Sequence, residues 1–383
     1  MVSFEEKVKG VLVSTAYGDA LGAPVEKLTF KEIQTKYGYV NDLRTKWYKE
    51  DLGPEVNLGR SRGNGTVTDD TLMTLALCRV YEKERRHLDA YDLGNEFVKE
   101  IAFRKTYVPE LRKDGLIIDR LFYPEKHIFL RHVLANCDPR EGGYGNMVNC
   151  GAAMYIAPIG VVNAGNPRAA YDEAILFAQG HQVSYGLEAA GVLSACVAKA
   201  FEDSVTIKDI IETALQFSKD GTHLAIKDIT TLAYELKKKN LSYQEIVHAF
   251  HSALKPYSPM EDDVHRKIEK VGIPSNHYTP SRLFSIEELP MALGMLIINE
   301  GNFKKTIADC INSGRDTDSI GVMAGVILGA MYGSTVIDEE DIALLEKTNK
   351  IDFSEASEKF AIVAKEIIAE DIQVSRVMET IIK

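Results

Sequence analysis

The stretch INSGRDTDSIGVMAGVILGAM, Ile311 to Met331, sets Asp316 and Asp318 two residues apart, each followed by a hydroxyl, against a run rich in glycine and alanine. The apolar run has the character of a buried helix. Gly321, Gly325 and Gly329 recur every four residues, so they line one helix face and permit close packing there. A second stretch shares the design. GNGTVTDDTLMTLAL, Gly63 to Leu77, brings Thr68, Asp69, Asp70 and Thr71 to the start of another apolar helical run. In both, a glycine-bearing loop leads through hydroxyls and carboxylates into a helix that must be buried.

Helix capping accounts for part of this. Asp, Ser and Thr at a helix start accept orphan backbone N–H groups and suit the helix dipole, an effect of roughly 1 kcal/mol. One residue per helix suffices, and each further carboxylate adds repulsion. Asp69, Asp70, Asp316 and Asp318 exceed the need. A hard divalent cation explains the excess, because Mg2+, Mn2+ or Ca2+ takes oxygen ligands and carboxylate plus hydroxyl suits it. If the two helix starts meet in space, these groups can hold two ions.

Outward from these stretches, helical periodicity dominates. FEEKVKGVLVSTAYGDAL places Phe4, Val8, Val11, Leu12, Thr15 and Ala16 on one face, and LMTLALCRVYEKE repeats the pattern with Leu72, Leu75, Ala76 and Val80. The segment from Tyr171 to Phe201 is apolar on most sides and rich in alanine, which predicts buried helix. Similar patterns continue to EKFAIVAKEIIAEDIQ near the end, and alternating strand patterns are scarce. The expectation is an all-α fold, with many short to medium helices in one compact bundle. Loops are expected at Tyr48 to Thr66, Asp138 to Asn149 and Lys255 to Ser285. No linker divides the chain, so residues 1–383 are expected to form a single domain.

The chain has 383 residues, 45% of them apolar, enough for a sizeable core. Its net charge of −11 offers no electrostatic footprint for nucleic acid or anionic lipid. Cys78, Cys137, Cys150, Cys196 and Cys310 lie far apart without metal-ligand spacing, which reads as reduced thiols. The N-terminus lacks a basic leader with an apolar core, and no run of about 18 apolar residues is present. A cytoplasmic protein, monomer or homodimer, is expected.

Two rival motif readings fail. Asp-Thr-Asp-Ser suggests the nucleophile loop of haloacid-dehalogenase phosphatases, but a polar helix pattern precedes it where an apolar strand is needed. Aspartic proteases need Asp-Thr/Ser-Gly in strands. Four motifs in order instead resemble the ADP-ribosyl-glycohydrolase family: GDALGAPVE (Gly18 to Glu26), TDDT (Thr68 to Thr71), CGAAMYIAPIG (Cys150 to Gly160) and GRDTDSIGVMAG (Gly314 to Gly325).

The resemblance implies an all-α, compact orthogonal multi-helix bundle with a centre of two divalent cations, Mg2+ or Mn2+. It implies hydrolysis of a bond to C1″ of an ADP-ribosyl or related ribosyl group. The substrate would be an ADP-ribosylated protein or a small ADP-ribosyl or ribosyl compound. Carried over by motif, the metal ligands are Thr68, Asp69, Asp70, Asp316, Asp318 and Ser319. Glu26 matches the family's mobile glutamate, and Asp316 or Asp318 would polarise the attacking water. EGGYGNMVNCGAAM resembles the stretch that receives diphosphate and distal ribose, which points to Gly145, Asn146, Asn149 and Gly151. His181 sits where relatives often carry a histidine near the substrate. Met154-Tyr155 replaces a common Met-Arg, and Arg315 lies beside the second acidic cluster. The alternatives are a nucleosidase-like hydrolase of a small N-riboside, or a non-catalytic, metal-stabilised binding member of the fold.

Overall fold

The computed structural model describes residues 2–239, 241–257 and 286–382. Five helices frame the acidic stretches: α1 (Phe4–Gly22), α2 (Asp69–Glu84), α3 (Ser184–Ala200), α4 (Thr317–Tyr332) and α5 (Phe353–Ile382). The helical expectation holds, with one addition. Strands β1 (Lys105–Val108) and β2 (Lys113–Leu116) form an antiparallel hairpin, with Lys105 opposite Leu116 and Val108 opposite Lys113. Its turn passes through Pro109–Leu111 and closes with Arg112 at φ 52°. No Asn-Gly or Asp-Gly pair forms the turn, since Asp114-Gly115 falls within β2; a proline-initiated helical turn and one left-handed residue make the reversal instead.

α1 begins where Ser3 Oγ accepts the Glu6 N–H at 3.1 Å, and it passes at Gly22 into a short turn containing Pro24. Every residue from Gly10 to Gly22 is buried, as is every residue of α4 from Thr317 to Met331. The apolar stripe legible in α1 is therefore only one of its buried faces. Another is lined by small residues and packs against α4. A Cβ on Gly329 would lie 2.4 Å from Gly10 O, one on Gly325 2.9 Å from Ser14 O, and one on Gly321 3.0 Å from Gly18 O. A Cβ on Gly22 would reach within 2.5 Å of the Asp318 backbone. The paired positions rise on one helix as they fall on the other, so the helices run antiparallel, backbone against backbone. Glycine in a helix costs roughly 1 kcal/mol each in propensity. Dispersion between two closely apposed, buried backbones offsets that cost.

The other elements wrap this pair. α3 packs against Pro167–Ala178 and against α4, while Glu288–Ile298 lies between Asp220–Leu236 and α4. α5 covers α1 and α2 with Phe360, Val363, Ala364 and Ile367, spaced for one helix face. Lys7 is buried and its Nζ donates to Phe201 O at 3.0 Å and Ala200 O at 3.3 Å, satisfying carbonyls at the C-terminal end of α3.

The loop expected from Tyr48 to Thr66 carries a helical turn at Pro54–Asn57 and bridges Gly63 to Lys46. The loop expected from Asp138 to Asn149 opens with a turn at Pro139–Glu141. Of the loop expected from Lys255 to Ser285, residues 258–285 lie outside the described residues. All five cysteines are free thiols. Among the described residues, no helix is long and apolar enough to cross a membrane.

The glycine face of α4 predicts a sign. Gly329→Ala gains helix propensity but forces a methyl into the Gly10 carbonyl. We expect a net loss of about 2 kcal/mol by chemical denaturation, the cost typical of overpacking. Gly115→Ala, whose Cβ would meet nothing closer than 3.7 Å, should lose less than half as much. Equal effects at the two positions would mean the interhelical packing does not limit stability.

Candidate active site

The two acidic helix starts meet. Neither is explained by capping, because neither Thr68 nor Asp316 makes the side-chain bond of an N-cap. The start of α2 is capped from α1. Asp19, fully buried one residue from Gly18, accepts the Thr68 N–H at 2.9 Å, the Thr71 N–H at 3.1 Å and the Thr71 hydroxyl. The side chains of Asp70, Asp318 and Ser319 are thereby turned to one another. Ser319 Oγ donates to Asp70 Oδ1 at 3.2 Å, and Thr68 Oγ1 donates to Asp70 Oδ2 at 3.3 Å.

Two groups of three carboxylates result, Asp19–Asp70–Asp318 and Glu26–Asp316–Asp318, each offering ligand atoms within 4.8 Å of one another. Glu26 arrives there through backbone pairing. The Lys27 N–H donates to Arg315 O at 2.8 Å and the Arg315 N–H to Leu28 O at 2.7 Å, which ties the end of the first motif to the residue before Asp316. Gly314, at φ 88°, makes this possible: a Cβ there would lie 2.5 Å from Phe30 N. The Arg315 side chain turns to Glu287, with Nη1 at 2.5 Å from its carboxylate.

So much buried negative charge needs compensation. Burial, then the neighbouring carboxylates Asp19, Asp69 and Asp316, pushes the Asp70 carboxyl well above its ordinary range. Burial, then Glu26, Asp70 and Asp316, does the same to Asp318. Asp19 rises to about 6 through burial, against the hydrogen bonds from Thr71 and Thr68. Hard-oxygen donors crowded this closely fit divalent cations, which would supply the missing positive charge. Cys150 closes one side, its Sγ 3.0 Å from Asp316 Oδ2, to which the thiol donates, and 3.3 Å from Ser319 Oγ.

The rim is arranged oppositely, with each carboxylate held by an arginine. Glu26 pairs with Arg62, Arg62 Nε donates to Glu110 Oε1 at 2.7 Å, Glu110 pairs with Arg120, and Arg120 pairs with Asp69. The hairpin turn delivers Glu110, 1% exposed, to the centre of this chain. Burial opposes its ionisation, yet Arg120 and Arg62 together hold its carboxyl at about 2. Arg60 lines the same wall, and its Nη2 donates to Arg120 O at 2.6 Å.

The other wall carries the glycine-rich stretch. Asn149 and Gly151 line the cleft beside Glu125. Asn146 donates through Nδ2 to His181 O at 2.7 Å, and Gly145 is an exposed turn residue at φ 85°. His181 is fully buried behind Glu125. Its Nδ1 shares a hydrogen bond with the Tyr155 hydroxyl at 2.8 Å and its Nε2 bonds Glu125. Of the residues singled out in the sequence, Glu26, Asp69, Asp70, Asn149, Gly151, Asp316, Asp318 and Ser319 line one cleft; Thr68 and His181 lie one layer back, and Gly145 lies outside it. Sequence reasoning passed over Asp19, Arg60, Arg62, Glu110, Arg120 and Glu125. A carboxylate in the all-buried stretch of α1 was a signal available for Asp19; the others carry none.

Comparison with known proteins follows the same outline. The model of the ADP-ribosylglycohydrolase family matches residues 1–373. The chain is 23% identical over 356 residues to the "Uncharacterized protein YegU" of Escherichia coli (strain K12), covering 91% of this chain and 94% of that one. It is likewise 23% identical over 356 residues to "ADP-ribosylhydrolase ARH3" of Gallus gallus, covering 90% and 91%. Its fold is similar to that of a solved "ADP-ribosylglycohydrolase-related protein complex" chain, with a TM-score of 0.59 at 17% identity over 96% of this chain and 99% of that one.

The charge chain has a pH signature. A carboxyl depressed in the folded state adds stability above its unfolded pKa, and that stability is lost as pH falls toward the folded value. Glu110→Gln should therefore cost about 3 kcal/mol at pH 7, the scale of breaking a buried ion pair. The difference from wild type should shrink between pH 4.5 and about 2. Denaturation midpoints across that range measure it; a pH-independent gap would refute the assignment.

Proposed function

This chain belongs to the ADP-ribosylglycohydrolase family and is a glycohydrolase, and from that premise we propose that its acidic cleft hydrolyses a bond to C1″ of an ADP-ribosyl or related ribosyl group. The observation that supports this reading is convergence. Asp70 and Asp318, nearly 250 positions apart by the separation of Asp70 and Ser319, share one buried site with Asp19 and Asp316, and of these only Asp19 caps a helix.

In this reading Asp70, Asp316 and Asp318, with Thr68, Asp69 and Ser319, hold two divalent cations, Mg2+ or Mn2+. Asp69 has a second oxygen beyond the one that Arg120 engages. Bound there, such cations supply a grip on the ribose 2″ and 3″ hydroxyls and lower the pKa of a bound water. The residues do the rest. Asp316 and Asp318 stand as the carboxylates that orient and polarise the water. With Glu26 they stabilise the positive charge that develops at C1″ as the bond breaks. Glu26 sits at the rim of that pair, aimed by Arg62, where it can shield the site from bulk water or carry a proton. The buried walls keep these electrostatic interactions strong.

The cation reading is tested by calorimetry. The protein should bind close to two Mg2+ or Mn2+ per chain, reversed by a chelator; absence of binding in folded protein removes the two-cation centre. Asp70→Ala and Asp316→Ala should each abolish turnover, and the double variant should add little, because one centre is lost once. Additive losses would separate the two clusters. Glu26→Gln should keep cation affinity within a few-fold while kcat falls by roughly 10²-fold, the scale of a general acid–base group. Near-normal kcat in that variant would reduce Glu26 to a rim carboxylate.

A further inference from the structure

The glycine-rich stretch is the part of the cleft expected to receive a diphosphate, through exposed N–H groups. In the fold several of those donors are turned to protein acceptors. The Gly143 N–H donates to Gln179 O at 2.9 Å, the Asn146 N–H to Gly143 O at 3.0 Å and the Gly151 N–H to Asn149 Oδ1 at 2.9 Å. The side-chain amides converge on one carboxylate. Asn149 Nδ2 donates to Glu125 Oε1 at 2.7 Å, and His181 Nε2 and Asn146 Nδ2 reach Glu125 Oε2, the latter at 3.4 Å. Glu125 is 3% exposed and lines the cleft. Gly151 gives it room, since a Cβ there would lie 2.7 Å from Glu125 Oε1.

An acidic side chain thus stands where the anion would sit, already fitted with donors that an anion needs. A phosphate brought beside it would meet a buried like charge at short range, weakly screened by solvent. Two carboxylate oxygens have about four acceptor directions, and among the described residues donors fill three of them. The capacity left suits a donor such as a sugar hydroxyl. On the opposite wall Arg62 and Arg120 are already engaged by Glu26, Glu110 and Asp69, Arg60 Nη2 is turned to Arg120 O at 2.6 Å, and Lys27 Nζ lies over the Phe122 ring.

We propose that Glu125 is a specificity-determining residue: it closes the glycine-rich end of the cleft to phosphate and binds an uncharged, hydrogen-bond-donating part of the substrate, so that the preferred substrate is a riboside without a diphosphate. The proposal rests on the cleft being the ribosyl site, and it selects among ribosyl substrates. Nicotinamide riboside and NAD+ make a matched pair of probes, sharing the scissile bond and leaving group and differing in the ADP part. By calorimetry on the Mn2+-loaded protein, wild type should bind nicotinamide riboside at least 10-fold more tightly than NAD+, and nicotinamide release should follow the same order. Glu125→Gln keeps the shape and removes the charge, and should narrow the ratio at least 10-fold, chiefly by tightening NAD+. Equal or tighter binding of NAD+ by wild type overturns the proposal, as does an unchanged ratio in a folded Glu125→Gln variant. If that variant does not fold, the wild-type ratio decides alone. Binding of neither probe removes the ribosyl reading of the cleft and the proposal with it.

Discussion

The site hangs on the bare backbone packing of α1 against α4. With glycine on both sides, the two helices approach until Gly18 touches Gly321 and Gly22 touches the Asp318 backbone. That separation places Asp19 of α1 beside Asp318 of α4. Asp19 also receives the Thr68 and Thr71 N–H groups, so α2 is drawn in at the same point and Asp70 with it. One packing constraint therefore sets the spacing of three carboxylates that come from three helices. A side chain at either glycine would move the helices apart and open the cluster before any ligand residue was touched.

Charge is treated differently on the floor and at the rim. On the floor, like charges are crowded and buried, an arrangement that is costly unless protons or cations balance it. At the rim, Glu26 and Asp69 are each matched by an arginine, and Glu110 matches the two arginines in turn. The rim thus stays paired and ordered while the floor stays demanding. The contrast separates buried carboxylates that could hold a metal ion on the floor from carboxylates already paired at the rim.

Much of this is legible in the chain. The helices are long and periodic, and local pattern is a strong signal for them. The acidic stretches stand out because carboxylates beside buried helix have few structural uses. The hairpin is not legible, because four-residue strands with a helical turn between them carry little periodicity. The glycine face of α1 is hidden as well. Gly10, Ser14, Gly18 and Gly22 recur every four residues, but small side chains add little to an apolar pattern, so the face that packs most closely is the quietest.

What the sequence by itself determined is the inventory: a helical chain, two carboxylate clusters at helix starts, and a family resemblance whose motifs mark the stretches that meet. These are local properties, carried by residues within a turn or two of each other. Only the tertiary structure decided which side chains face which. It made Asp19 the cap of α2, Glu110 the hub of the arginines, and Glu125 the acceptor of the very amides that stood as candidates for a diphosphate. Each of those pairings joins residues on different elements, up to 52 positions apart for Asp19 and Thr71. Electrostatic and hydrogen-bonding partners are chosen by distance in space, and no spacing along the chain records it.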